Sequence, residues 1–530
     1  MAMATTLRDF RRSATALGLG LMALGQDGLA QAQQVPPQAP ALPTSGVAVT
    51  PTLSAQVSHS DNATLASNSA RQSDTILSLS PGLSVQYLGP TTSVRGQMQV
   101  SAVTYLQNTQ ADRVLPNGRL ALHSEWARQG LGLDASVSAD QVRSQFTSAS
   151  SSGTTTADTY TNTRVHVSPF LERELDPQTR VRARLERSQV HSNANSSGLA
   201  SRPNTSVNGA SVALTRQPTR LGYALEANYQ DTQADGQAQS LYTQRLVKGT
   251  LLYAVTPELD LGPVLGREST DLPQQHFSGT VKGAQADWHP NERTRLKALV
   301  EDRFFGMGWS GDLSYRTSKV AWGLTSTRQV ESYASPTASG LAAGGSTQVL
   351  LDALLTSRIP NEAERAKAVN DLMVQRNLPS QLGSTRDLYD LNVQLRQNIA
   401  ARAALMGVRS TVLLTAGQLR SQPLDPNALT TVLGSGGRTR DRYVDTQLNH
   451  RVTPLSTLSA GLRFSRAESI SLLTGTTTST RELGLRLTMS AWMSPRSQVV
   501  GGLRHMRAVY EGSGGTITEN MVFAGLEHRF

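Results

Sequence analysis

The 530-residue chain has no cysteine, which excludes disulfides, thiolate metal sites, a cysteine nucleophile and a cysteine-borne lipid anchor. It has no run of about 18 apolar residues, so no helix can be its membrane crossing. Aromatic residues are only 5%, thin for a row of β-sandwich domains that each need large buried anchors. Signatures of catalysis are also missing: no G-x-S-x-G, no P-loop and no H-E-x-x-H occurs, and the nine histidines are scattered. The densest glycine clusters, 434–437 and 512–515, sit in Ser/Gly-rich stretches and read as turns rather than phosphate cradles. We therefore expect no enzyme, no cofactor and no metal site.

The formal charge is +10, which could suggest nucleic acid. However, no module interleaves basic and aromatic residues, and the chain begins with an export leader. Arg8, Arg11 and Arg12 precede an apolar run from Ala14 to Leu24, and Ala30-Gln31-Ala32 follows. That is the layout of a signal peptide cut after Ala32. The cut lowers the formal charge from +10 to +9. Residues 33–45 are Pro-rich and read as a short extended linker.

The dominant pattern beyond the linker has period two. Leu77, Leu79, Pro81, Leu83, Val85 and Tyr87 alternate with Ser78, Ser80, Gly82, Ser84 and Gln86. The same alternation recurs at Leu131–Ala139, Leu221–Tyr229 and Leu483–Ala491. Neighbouring side chains on a strand point to opposite faces, so each segment has one apolar and one polar side. Several segments reach about 9–11 residues, the length a tilted strand needs to cross a bilayer. X-Pro pairs at Asp176-Pro177, Gln217-Pro218, Thr256-Pro257, His289-Pro290, Thr453-Pro454 and Ser494-Pro495 mark tight turns, mostly 33 to 41 residues apart. Longer Ser/Thr/Asn/Gly-rich loops, such as 144–156 and 421–439, lie between them.

Short turns on one side and long loops on the other predict an all-β fold: a single transmembrane antiparallel β-barrel over 46–530. It should have about 22 strands, within 18 to 24. An even number puts both termini in the periplasm. The last strand shows Val522, Ala524, Leu526 and Phe530 on one parity, the pattern by which barrel-assembly machinery recognises a client. His528 stands where an apolar or aromatic residue is commoner.

In such a barrel the polar parity faces the lumen, because Arg or Lys facing mid-bilayer lipid costs roughly 2–4 kcal/mol. Parity places fourteen basic residues inward against nine acidic ones, Asp390 among the acids. Candidate anion contacts are the ladder Arg180, Arg182 and Arg184, together with Arg295, Lys297, Arg463 and Arg486. The alternative is that these cations pair with lumen carboxylates and stiffen the wall.

Residues 347–380 break the alternation. Val349, Leu350, Ala353 and Leu354 have helical spacing and stop near Ile359-Pro360. A second helix is expected over 362–376, with Asn361 as its N-cap and an apolar stripe of Ala363, Ala366, Val369, Leu372 and Met373. The insert falls in what should be an extracellular loop. It is either folded into the lumen as a constriction or set at the rim as a cap.

Three segments here carry a family resemblance. Glu301-Asp302-Arg303-Phe304-Phe305-Gly306, Ile359-Pro360-Asn361-Glu362-Ala363-Glu364-Arg365-Ala366 and Ala404-Leu405-Met406-Gly407-Val408-Arg409-Ser410-Thr411 occur in that order. Together they resemble the uncharacterised outer-membrane β-barrel family associated with PEP-CTERM/exosortase systems. The resemblance implies a Gram-negative outer membrane and a setting among exopolysaccharide and biofilm functions. It supplies no catalytic residue and no substrate. The expected partners are outer-membrane lipid, the assembly machinery, and an acidic polysaccharide or its export components. Two functions remain open: a pore or export conduit with a basic lumen, or a closed anchoring barrel whose loops bind surface polysaccharide or a protein.

Overall fold

The computed structural model describes residues 46–126, 130–143, 159–194, 202–237, 239–332, 334, 347–356, 358–376, 378, 382, 392–425, 437–472, 474–511 and 515–530. The leader 1–32, the linker 33–45 and Asp390 lie outside them.

The described chain forms one antiparallel sheet of 22 strands, from β1 (Gly46–Ser60) to β22 (Thr516–Arg529). Each strand pairs with the next along the sequence, and β22 returns to β1 over Thr52↔Arg529 to Ser60↔Met521. The ring is therefore closed, and closure removes the unpaired strand edges that invite aggregation.

The connections at one end are two to five residues long; at the other they run from two residues to the 62 between β15 (Val320–Glu331) and β16 (Gln394–Met406). All six X-Pro pairs stand at the short-turn end: five have their proline in the turn itself, and the sixth, His289-Pro290, falls at a register shift just before its turn. The tightest part is β13 (Thr294–Arg303), β14 (Gly306–Arg316) and β15, where strands shorten to between 10 and 12 residues. Gly306 makes the Phe304-Phe305 turn possible, because its φ of +86° lies where a side chain would be strained.

The alternation resolves into two faces. Leu185, Val247, Leu251 and Leu265 are more than half exposed on the outside, an apolar belt suited to lipid. Outward aromatics frame it sparsely. Trp126, Trp288 and Trp322 lie towards the short turns, the last 5.7 Å from the ring of Tyr315. Trp309 lies towards the long loops, its indole N–H donating to Ser326 Oγ at 2.9 Å. Trp492 has the lumen parity instead and is covered by the guanidinium of Arg529, 4.9 Å from the ring.

Candidate functional site

The Arg ladder lies on β7 (Thr179–Ala194), which pairs with β6 (Thr159–Asp176). The turn between them sets the register: the Asp176 carboxylate accepts the N–H groups of Gln178 and Thr179, both at 2.9 Å. That register puts Glu174 opposite Arg180, Glu172 opposite Arg182 and Phe170 opposite Arg184. Cross-strand pairs of opposite charge follow. Arg180 donates to Glu174 at 2.7 Å and pairs with Glu172 at 3.3 Å. Arg182 meets Glu172 with two N–H groups, at 2.9 and 3.2 Å. Arg184 donates to Asp134 at 2.7 Å and to Ser168 Oγ at 3.0 Å, and lies over the Phe170 ring.

The other candidates are distributed around the ring. Arg295 and Lys297 share Asp287, at 2.9 and 4.0 Å. Arg463 stands 4.0 Å from Asp445 and over the Tyr443 ring. Arg486 donates to Thr488 Oγ1 at 3.3 Å and lies over Phe523. The inward count from parity needs correction, because several lumen carboxylates were not in it. Glu268, Asp312, Glu331 and Glu519 bind Arg303, Arg402, Arg396 and Arg504, of which Arg402 and Arg504 were also uncounted, and Asp287 and Glu174 bind the cations above. Much of the face is thus a lattice of ion pairs rather than an array of open cations. Among the described residues, no cluster of three or more His, Asp or Glu could hold a metal ion.

The driest part of that lattice spans β9 (Leu221–Ala234), β10 (Tyr242–Thr256), β11 (Leu259–Leu272) and β13. Arg303 forks onto Glu268 at 2.8 and 2.5 Å and reaches Glu301 at 3.3 Å. Lys248 bridges Glu301 at 2.8 Å and Glu226 at 3.3 Å. Glu268 also accepts from Gln244 at 2.6 Å.

The insert is where sequence and structure differ most. Helices α1 (Thr347–Leu355) and α2 (Glu362–Gln375) form as expected. Asn361 caps the second, its Oδ1 accepting the Glu364 N–H at 3.2 Å. The connection leaves and rejoins the sheet at the long-loop end, yet the helices pack at the opposite end. Leu350, Leu351, Leu354, Leu355 and Val369 are buried against Ala321, Ala404 and Leu413, which lie beside the short turns. Those three wall residues have the lumen parity, while Trp322, Leu405 and Leu414 on the outer parity of the same strands stay exposed. The helices are therefore inside the barrel, as the folded-in alternative required. Burying a Leu or Val is worth roughly 1.5–3 kcal/mol, so apolar contact dominates the seat.

Arginines complete it. Arg376, one residue beyond α2, donates to the carbonyls of Gly407, Val408 and Ser410 at 3.1 to 3.2 Å and to Thr411 Oγ1 at 2.6 Å. All four belong to the turn and strand start between β16 and β17 (Ser410–Pro423). Burial, with Arg451 nearby, pulls the Arg376 guanidinium below its ordinary range. Arg358 donates to the Ser318 carbonyl at 3.1 Å in the β14–β15 turn. Arg365 ties the helices together, donating to Asp352 at 2.7 Å and to the carbonyls of Ile359 and Pro360. Sequence reasoning missed these three because backbone carbonyls leave no pattern in a sequence.

The last strand places Val522, Ala524 and Leu526 outward and pairs with both β21 (Ser497–Glu511) and β1. Phe530 donates its N–H to the Pro51 carbonyl at 3.0 Å, and its ring meets His528 edge-on at 4.7 Å.

No family model matches the chain, and no curated protein matches it. Solved structures similar to it include a mutant of the ferric enterobactin receptor from Pseudomonas aeruginosa, at 11% identity and TM-score 0.44, covering 92% of this chain and 81% of that one. Another is the FrpB iron transporter from Neisseria meningitidis, at 9% identity and TM-score 0.45, covering 91% and 82%. A third is OpdK from Pseudomonas aeruginosa, solved with vanillate, at 9% identity and TM-score 0.35, covering 91% and 99%.

Proposed function

We propose that this chain is an outer-membrane conduit whose lumen is closed at rest by its own two-helix insert. The observation that carries the reading is the seat of α1 and α2. They lie inside the barrel at the short-turn end, held by apolar contact and by arginines on backbone carbonyls, and tethered from the far end by long connections. An element so held can leave without breaking the wall. In the usual orientation the short turns face the periplasm, so the stopper sits at the periplasmic mouth. A leader cut after Ala32 would deliver the chain, and Val522, Ala524, Leu526 and Phe530 would present the last strand to the assembly machinery.

Anionic solutes are the favoured cargo. Arg180, Arg182, Arg295 and Lys297 are each about half exposed, at 50% to 60%, so they can meet a passing anion while paired. Within the resemblance to the PEP-CTERM/exosortase-associated family, the cargo class becomes an acidic exopolysaccharide. A second reading rests on the same seat: a permanently closed barrel whose loops anchor polysaccharide or a partner protein at the surface.

Planar-bilayer recording on the refolded mature protein, with and without residues 347–380, separates them. The conduit gives a quiet whole chain and steady, anion-selective steps after the deletion. A deleted barrel that is folded but still silent would exclude a stoppered conduit and leave the anchoring role.

A further inference from the structure

A second cationic feature lies on the opposite side of the wall and has no part in the lumen. Towards the long-loop end of β17, β18 (Gly437–Thr453), β19 (Ser456–Ser471) and β20 (Thr477–Ser494), six arginines share the outward parity. They are Arg420, Arg438, Arg440, Arg442, Arg466 and Arg481. Register sets three like-charge pairs face to face: Arg420↔Arg440, Arg442↔Arg466 and Arg466↔Arg481. Such pairs oppose folding unless an anion sits among them.

The chain supplies few anions there. Glu468, which stands opposite Arg440 in the register, takes Arg466 at 2.9 Å, and Glu511 takes Arg466 at 3.2 Å and Arg481 at 2.5 Å. Arg440 and Arg442 instead converge on one neutral oxygen, Gln418 Oε1, at 2.8 to 3.1 Å. Among the described residues no carboxylate ion-pairs with Arg420, Arg438, Arg440 or Arg442.

Directly beneath lies the lipid belt. Val444, Phe464 and Leu483 come first, and then the wall is hollowed by about 790 Å³. Leu448, Leu462, Leu485, Leu487, Leu503 and Val522 give the hollow an apolar lining, and His59, Asp61, His505 and Asn520 line its far end at β21, β22 and β1. On β18 the hollow begins at Thr446, four residues or about 13 Å along the strand from Arg442, and from there it runs across the wall to β1. A cationic patch stacked on an apolar recess at a bilayer boundary matches a phosphate above an acyl chain.

We propose that the outer wall from β17 to β22 binds a phosphorylated, multiply acylated lipid of the outer leaflet. Its phosphate sits among Arg420, Arg440 and Arg442, and an acyl chain fills the hollow. The site needs only the membrane-spanning barrel and stands whether or not the lumen conducts.

The test is native mass spectrometry of the full mature protein in detergent. The probes are a bisphosphorylated, multiply acylated glycolipid, its dephosphorylated form, and inorganic phosphate as competitor. Expected is retention of the phosphorylated glycolipid at least tenfold above the dephosphorylated form, unmoved by millimolar phosphate. The triple variant R420Q/R440Q/R442Q should lose that preference, while R187Q/R245Q, with outward arginines on another part of the wall, should keep it. Should the triple variant fail to fold, Leu487→Trp fills the hollow with the arginines intact and should lower retention several-fold. Retention unchanged in the triple variant, or in Leu487→Trp, would overturn the proposal. Displacement of the glycolipid by inorganic phosphate would reduce the patch to a free-phosphate site and overturn the lipid.

Discussion

Two parts of the lumen are filled in opposite ways. Across β6–β13 the wall holds itself with ion pairs, some set between adjacent strands by register, as Glu172 is to Arg182, and others reaching over an intervening strand, as Arg303 on β13 reaches Glu268 on β11. Across β15–β17 it is covered by α1 and α2, which arrive from the far end and are held by apolar burial and by Arg376 on backbone carbonyls. The first arrangement cannot move without moving strands. The second has no side-chain ion pair to the wall among the described residues. On the proposed reading, a frame and a removable part occupy the same lumen.

That contrast is sharpened first in the dry lattice. Glu268→Ala leaves Arg303 buried without its bidentate partner, and removing one member of a buried pair costs about 3–5 kcal/mol. Urea unfolding of the refolded barrel should show a loss of that size with no new conductance. A silent but equally stable variant would mean that this network does not brace the wall.

Next comes the seat. Arg376→Ala removes a charged donor from three carbonyls and a hydroxyl, and bonds to charged groups contribute about 1.5–3 kcal/mol. The open fraction in bilayer recordings should rise by about ten- to a hundredfold, at 1.4 kcal/mol per factor of ten, while urea stability of the barrel itself stays put. If stability falls and conductance does not, the helices belong to the frame.

The smallest effect belongs to the ladder. Arg180 and Arg182 are about half exposed, and exposed pairs contribute about 1 kcal/mol or less. Arg180→Ser with Arg182→Ser should leave folding nearly unchanged and shift the reversal potential of the 347–380 deletion modestly towards cations. A large stability loss would make the ladder structural, and an unmoved reversal potential would remove it from selectivity.

The strand ring was legible because a membrane barrel repeats one simple constraint, lipid outside and polar inside, at every second residue. The helices were legible for the same local reason, down to Asn361 as a cap. What stayed hidden depends on the third dimension. Parity cannot say that Glu268 meets Arg303 across 35 residues of sequence, nor that Ala321, Ala404 and Leu413 form one floor. The ladder was visible as a run of arginines, but its pairing needed the register that the Asp176 turn imposes. The seat of the insert, at the end opposite to where its chain departs, has no sequence signal beyond an apolar stripe that demanded some cover.

The central claim is that α1 and α2 close the lumen by sitting in it. Because the chain has no cysteine, a single pair can be introduced at Leu354 on α1 and Ala404 on the wall, in the Arg376→Ala background, and joined by a short reducible thiol-reactive linker. Single-channel recording before and after reductant is then the most direct measurement. We expect silence while the helix is tied to the wall and discrete openings once the tether is cut. Openings of the same size and frequency in the tethered protein would contradict the account, because current would then pass with the helices in place.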